Sequence, residues 1–304
     1  DNGRYVLKSM SINYDWLMYA TDDRHGRSFT LWQYGLLDRL LPHVEHQIIA
    51  CARDKEGWVI LMQDLTGGLF SLDQTAAVSK LPLFLDALAR LHATFWNDPV
   101  LLADHLGLSD AARLLNGSSL PAARNHTNTT TESLIPVWVV EGWEIMEDLL
   151  ERDVFEQMVM LIEDPRPLLT ALDRYPFTLL HGDYRDANLA VLSPTRPVVF
   201  DWQQAAHSLM TIDLVWFTEG VRELISEPEA QHIYREHLQR YLRQQFDDST
   251  WQAMIDLGYL FHALRITWAQ AYSIKHGTDP VALEIEKTKL LQRKQQVQDG
   301  LRWL

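Results

Sequence analysis

No stretch constrains the fold of this chain more than residues 179–202, where loop residues with reactive side chains alternate with two short apolar runs. Leu179-Leu180 leads into His181-Gly182-Asp183, and Asn188 follows five residues after the aspartate. Residues 189–192 are apolar, and 193–197 (Ser-Pro-Thr-Arg-Pro) have the composition of a turn. A second apolar run, 198–200, then delivers Asp201 and Trp202. The pattern predicts a loop followed by a short β-hairpin. Two strands joined by a tight turn set the residue before the first beside the residue after the second. Asn188 and Asp201 are therefore expected side by side, with Asp183 close in front.

Oxygen donors of this kind suit Mg²⁺, which takes one or two carboxylates and completes its shell with water and phosphate oxygens. A carboxylate on the adjoining loop can orient or deprotonate a hydroxyl that attacks a γ-phosphate. Two other readings fit the same residues: a buried His/Asp/Asn hydrogen-bond network beside a hairpin, or half of a two-metal hydrolase site.

The motif His181-Gly-Asp183-x-x-x-x-Asn188 followed by Asp201-Trp202 resembles the signature of the aminoglycoside phosphotransferase and choline kinase-like family. These are small-molecule kinases that share the protein-kinase fold. The resemblance implies an α+β, two-lobed architecture: a small N-terminal antiparallel-sheet lobe over 1–65 that binds nucleotide, and a larger, mainly helical lobe over 66–304 that carries catalysis and acceptor binding. It implies Asp183 as the base, Asn188 and Asp201 as Mg²⁺ ligands, and ATP or GTP as phosphate donor. Asp213 matches a further aspartate that braces the catalytic loop from the next helix, and His181 is implied as a second structural support. Arg185 lies inside the motif, where a cation could neutralise the transferring phosphoryl group or form a salt bridge to Asp186 or another neighbouring acid. The chain departs from the pattern at Ser208-Leu209, where the family usually has a Gly-Pro pair.

At 304 residues the chain can bury a large core and build two lobes. Its formal net charge of −14 argues against nucleic acid or an anionic membrane surface as the main partner. The single cysteine, Cys51, excludes an intramolecular disulfide and a zinc site of several thiolates. No apolar stretch reaches the length of a membrane span, and the opening Asp1-Asn2-Gly3-Arg4 does not read as a signal peptide. The expected compartment is the cytoplasm, and the expected state a monomer or homodimer. The acceptor motifs at Asn116, Asn125 and Asn128 are read as part of a Ser/Thr/Asn-rich loop rather than as glycosylation sites.

Residues 4–8 read as a strand ending in Lys8, which resembles the kinase lysine that holds the α- and β-phosphates. No glycine-rich phosphate loop precedes it, so the given chain is expected to begin inside a longer small lobe. Residues 28–41 have helical spacing, with Ser28 as cap and Pro42 as stop. This is the place of the helix whose glutamate pairs with the lysine, yet no glutamate occurs between Lys8 and Glu45. Asp38 and Gln33 are the only candidate substitutes there. Residues 46–52 and 58–62 read as two further strands. Met62 and Asp64 fall where the family places its hinge, whose backbone would hydrogen-bond the adenine.

Downstream, 81–96 is an amphipathic helix containing His92, read as a packed core histidine. Residues 116–133 read as poorly ordered, either a lid over the acceptor or a plain surface loop. Helices are expected over 138–150 and 154–163, a loop over 203–211, and helices over 214–225, 229–246, 249–274 and 280–304. Trp216, Trp251, Trp268 and Trp303 are expected mostly in the core, with one or two free to line an acceptor pocket. Glu219, Glu223 and Asp256 are candidate partners for a cationic acceptor.

The reading is a Mg²⁺-dependent kinase acting on a hydroxyl of a small molecule. Two rivals come from other classes. One is a catalytically weak or inactive kinase-like, nucleotide-binding regulatory protein, favoured by the absent glutamate and the missing first strands. The other is a phosphohydrolase built on His181, Asp183 and Asp201, which leaves Lys8 without a role.

Overall fold

Exposed along most of its length, β1 (Tyr5–Met10) is an edge strand whose last residue, Met10, enters the core. In the computed structural model, which describes residues 3–53, 55–72, 77–127, 133–193 and 195–304, β1 pairs antiparallel with the third strand of a small sheet. Its order is β1-β3-β2, with β2 spanning Ile48–Arg53 and β3 spanning Trp58–Gln63. Ile48, Trp58 and Ile60 bury one face, and the register sets Lys8 opposite Ile60.

The connection from β1 to β2 carries α1 (Trp16–Ala20), α2 (Arg27–Gln33) and a 3-10 turn at Leu37–Leu40. Asp15 caps α1 by accepting from the Met18 amide at 3.1 Å. The single helix expected over 28–41 is broken at Tyr34-Gly35. Gly35 takes a φ of 70°, open to glycine, and the Leu36 amide turns back to the Leu31 carbonyl at 2.9 Å.

The rest of the chain is mainly helical: α3 (Ala77–Thr94), α4 (Ala111–Asn116), α5 (Leu120–Thr127), α6 (Ile135–Leu149), α7 (Arg152–Glu163) and α8 (Arg166–Leu172) precede the loop–hairpin segment. That segment runs β4 (Phe177–Leu180), β5 (Leu189–Ser193), β6 (Arg196–Val199) and β7 (Ala206–Leu209), and α9 (Thr211–Gly220), α10 (Glu227–Leu242), α11 (Asp248–His276) and α12 (Pro280–Leu301) complete the fold. α11 packs against α6, α9 and α12, which explains why it is apolar around most of its circumference rather than along one stripe. β7 was read from sequence as loop; its four residues pair antiparallel with β4. Part of the stretch expected to lack order is helix α5, while 128–132 lie outside the described residues.

Two isolated bridges tie the hairpin β5–β6 to the small sheet. Glu45 pairs with Val198, and Leu69, just past the end of β3, pairs with Ala190. The hairpin is thereby clamped between the entry to β2 and the exit from β3. No helix is long and apolar enough to cross a membrane among the described residues.

Candidate active site

The hairpin does what its spacing predicts. Leu189 lies opposite Val199, and the Phe200 amide donates to the Asn188 carbonyl at 3.1 Å, so Asn188 and Asp201 meet at the open end. Asp201 itself takes a left-handed backbone with φ 65°, uncommon for a residue with a side chain, which turns its carboxylate out of the strand line. Both amide hydrogens of Asn188 are used on Asp183: its Nδ2 donates at 2.9 Å to the backbone carbonyl and at 2.9 Å to Oδ2. The Asn188 side-chain oxygen is its remaining acceptor. Arg185 Nε lies 3.1 Å from Asp183 Oδ1, so the salt bridge within the loop runs to Asp183 rather than to Asp186.

A buried carboxylate underlies this loop. Asp213, in the first turn of α9, accepts from the His181 amide at 2.7 Å and from the Gly182 amide at 2.9 Å. The His181 ring donates through Nε2 to the Phe200 carbonyl at 2.9 Å, and its Nδ1 accepts from the Asp183 amide at 3.2 Å. One ring thus joins the loop to the hairpin. Gly182 has φ 79°, and a Cβ there would lie 2.0 Å from the Gln204 carbonyl oxygen, so the turn requires glycine. His92 is fully buried beside Asp213, with its Nδ1 2.6 Å from the Tyr234 hydroxyl. Burial pushes its pKa down against the pull of Asp213.

Lys8 reaches this centre from the small sheet. Its ammonium donates to Asp201 Oδ1 at 2.6 Å and to Gln203 Oε1 at 3.0 Å. Neither expected substitute for the missing glutamate approaches it: Asp38 pairs with His46 at 3.3 Å, and Gln33 is exposed at the end of α2. Glu45 pairs with Arg196 on the hairpin instead. Gln203, which sequence reasoning passed over, also donates from Nε2 to Asp15 Oδ2 at 2.6 Å. Met62 lies within the β3 ladder opposite Val6 and Ile48. Asp64 lies just beyond the sheet, where its carboxylate accepts from Thr66 and pairs with Arg4 at 3.0 Å.

A cleft of about 270 Å³ opens beside the loop, lined by Arg185, Asp186, Trp216, His262, Glu286 and Lys289 among others. Of the four tryptophans singled out in the C-terminal helices, Trp216 is the one on this wall. Arg265, fully buried, sits over its ring at 4.5 Å and donates to the Gly182 carbonyl at 3.0 Å, another contact the sequence did not signal. Burial lowers the pKa of this guanidinium, while Asp183 and Asp213 draw it upward. Glu219 also borders the cleft, but it is committed internally: Arg293 donates to both of its oxygens, at 2.6 and 2.8 Å. Burial pushes the Glu219 carboxyl up, yet the Arg293 cation with the nearby His262 wins, and it stays ionised well below the usual range. His262 Nε2 is 3.2 Å from Glu219 but out of hydrogen-bond line, and burial lowers its pKa. The other two acids expected at a cationic acceptor are elsewhere. Asp256 is buried and accepts from Gln252 and Trp303, and Glu223 faces a different groove.

No group of three or more His, Cys, Asp or Glu side chains able to hold a metal occurs among the described residues. The pair Asn188 and Asp201 nonetheless fits Mg²⁺ chemically. Both present hard oxygens, and a two-ligand protein site is what this ion uses when phosphates and water supply the remainder.

A small antiparallel sheet, a helical body and a loop–hairpin centre that brings together Asp183, Asn188, Asp201 and Lys8 define the frame of a kinase-like phosphotransferase. The model of the phosphotransferase enzyme family matches residues 47–257, and the chain belongs to that family. The family it belongs to is one of phosphotransferase enzymes. Solved structures agree on the fold. A Plasmodium vivax ethanolamine kinase superposes with a TM-score of 0.57 at 11% identity, covering 96% of this chain and 76% of its own. A microcompartment-associated aminopropanol kinase gives 0.54 at 13% identity over 100% and 89% of the two chains. The GDP complex of aminoglycoside 2'-phosphotransferase-IIIa gives 0.54 at 16% identity over 100% and 88%. No curated protein matches.

Proposed function

We propose that this chain is a Mg²⁺-dependent small-molecule kinase that moves the γ-phosphate of ATP or GTP to a hydroxyl of a small acceptor, with Asp183 as base. The observation that carries the reading is the meeting of Asp183, Asn188 and Asp201 at one end of the hairpin with Lys8 from the opposite lobe. Family membership and the GDP-bound neighbour support a nucleotide donor. We place the lobe boundary near residue 65 and the protein in the cytoplasm.

In this reading the acceptor occupies the cleft beside the loop, and its hydroxyl reaches Asp183. Asn188 and Arg185 hold the two oxygens of that carboxylate, so its orientation is set before substrate arrives. Asp183 accepts the hydroxyl proton as the oxygen bonds to the γ-phosphorus and the bond to the β-phosphate oxygen breaks. Lys8 steadies the nucleotide phosphates, Arg185 faces the charge on the transferring group, and the backbone around Met62 and Asp64 holds the base. Asn188 and Asp201 would hold Mg²⁺, which when bound neutralises phosphate charge. The cleft offers hydrogen-bonding groups whose charges are largely paired within the protein, Glu286 with Lys289 at 3.1 Å and Glu219 with Arg293. A compact polar acceptor bearing hydroxyls fits that lining.

The test is Asp183→Asn, with acceptors found by screening for ADP or GDP release. Turnover should fall by about 10²- to 10⁴-fold while the dissociation constant for Mg²⁺-nucleotide stays within about twofold, because the base acts on the acceptor and not on the donor. A variant that keeps turnover removes Asp183 from this role.

A further inference from the structure

Between Lys8 and Glu45 the chain has no glutamate, yet this segment holds the lysine by another route. Lys8 has only hydrogens to give and the Asp15 carboxylate has only lone pairs, and Gln203 stands between them. Its Nε2 donates to Asp15 Oδ2 at 2.6 Å, and its Oε1 accepts from Lys8 at 3.0 Å. An acceptor on one side and a donor on the other leave the amide a single favourable orientation, with oxygen toward the ammonium. The same segment also grips the Gln203 backbone. Arg27, fully buried on α2, points Nη1 at the Gln203 carbonyl at 3.4 Å and is itself anchored on Thr21 and Gly107. Gln203 is therefore held by main chain and side chain from one stretch of the small lobe, and it is 7% exposed.

We propose that Asp15, acting through Gln203, is the positioning residue that holds Lys8 for the nucleotide, in place of a small-lobe glutamate. This rests on the nucleotide-binding reading above. Lys8 now shares Asp201 with the position assigned to the metal. Once Asp201 turns to a cation, the Gln203 oxygen is the contact that keeps the ammonium from swinging free, and Asp15 keeps that oxygen in place. The relay crosses the lobes, so it also couples the small lobe's α1 to the segment that follows Asp201.

The polarity of the relay makes it reversible by design. Asp15→Asn keeps a good helix cap for α1 but sets two amide donors face to face, so Gln203 must either lose a bond or turn its nitrogen toward Lys8. Gln203→Glu sets two carboxylates face to face. The double exchange Asp15→Asn with Gln203→Glu restores a continuous line, with the asparagine amide donating to the glutamate and the glutamate accepting from Lys8. Mg²⁺-ATP and Mg²⁺-GTP dissociation constants would be measured by calorimetry on the full chain, with melting temperatures as a folding control. Each single exchange should weaken nucleotide binding by about 5- to 30-fold, the loss of one charge-assisted hydrogen bond, and the double exchange should return to within about threefold of wild type. In steady-state assays the loss should appear in the nucleotide KM rather than in kcat.

Wild-type affinity in the Asp15→Asn protein, or losses that simply multiply in the double exchange, overturn the relay and leave the kinase reading standing. Should a single variant fail to fold, the double exchange compared with wild type still decides, since without coupling it cannot recover affinity. If the wild type itself binds neither nucleotide, the kinase reading falls and takes the relay with it.

Discussion

The loop that bears Asp183 and the surroundings of Lys8 are held together at very different ranges along the chain. Around the loop, most polar contacts join residues 2, 5, 19, 31 and 32 apart, Asp183 with His181, Asn188 with Asp183, His181 with Phe200, and Gly182 and His181 with Asp213, while Arg265 on the Gly182 carbonyl spans 83. Around Lys8 the separations are 193 and 195, and the bond from Gln203 to Asp15 spans 188. Short-range polar networks are imposed by spacing, because a turn and a hairpin allow few placements for residues a fixed number apart. Long-range ones depend on how two lobes dock, and no local pattern announces them.

This difference sets what the sequence could disclose. The hairpin, the adjacency of Asn188 and Asp201, and most helices were legible from apolar periodicity and turn residues. The fold class followed from the motif, and the family match supports it. The brace of Lys8 was not legible, since Asp15 and Gln203 are ordinary polar residues until the lobes meet. β7 was missed because Ala206–Leu209 is too short to show alternation and is fixed by pairing with β4. The helix over 28–41 was overextended because Gly35 breaks an otherwise periodic run. Glu219 looked like a free acid on a helix until Arg293, 74 residues away, was found on it.

Substitutions sharpen the comparison by asking which long-range contacts carry energy. Arg293→Gln should have the largest effect on folding. It strips the permanent cation from a carboxylate that is 4% exposed, and breaking a buried pair costs about 3–5 kcal/mol, readable by urea denaturation at neutral pH. The sign with pH follows from the depressed Glu219 pKa. Its contribution is complete above the ordinary glutamate value of 4.5 and is lost as pH falls toward the depressed one. The gap between wild type and variant should therefore narrow on acidification below about pH 4.5. A gap that stays constant with pH would contradict the pairing.

Within the loop, Asp213→Asn replaces one acceptor oxygen by a donor that faces a buried backbone amide. Leaving that amide unsatisfied costs about 1–3 kcal/mol, and turnover should drop along with stability because the loop bearing Asp183 loses its base. Unchanged stability would mean that short-range wiring matters less than the contrast holds.

The smallest effect is expected at Glu45, the first glutamate after Lys8 in sequence and a natural suspect for its partner. Its exposed pair with Arg196 predicts a change of at most about 1 kcal/mol for Glu45→Gln, with nucleotide affinity untouched. A marked loss of affinity there would reassign the brace.

The most direct test of the account is the melting temperature of the full chain with and without Mg²⁺-ATP and Mg²⁺-GTP, in wild type and in Asp201→Ala. At about 100 times the dissociation constant, one nucleotide should stabilise the wild type by roughly 2.7 kcal/mol, with a shift that requires Mg²⁺ and disappears in Asp201→Ala. No shift with either nucleotide, or an equal shift in Asp201→Ala, would contradict a nucleotide–metal centre at the end of the hairpin.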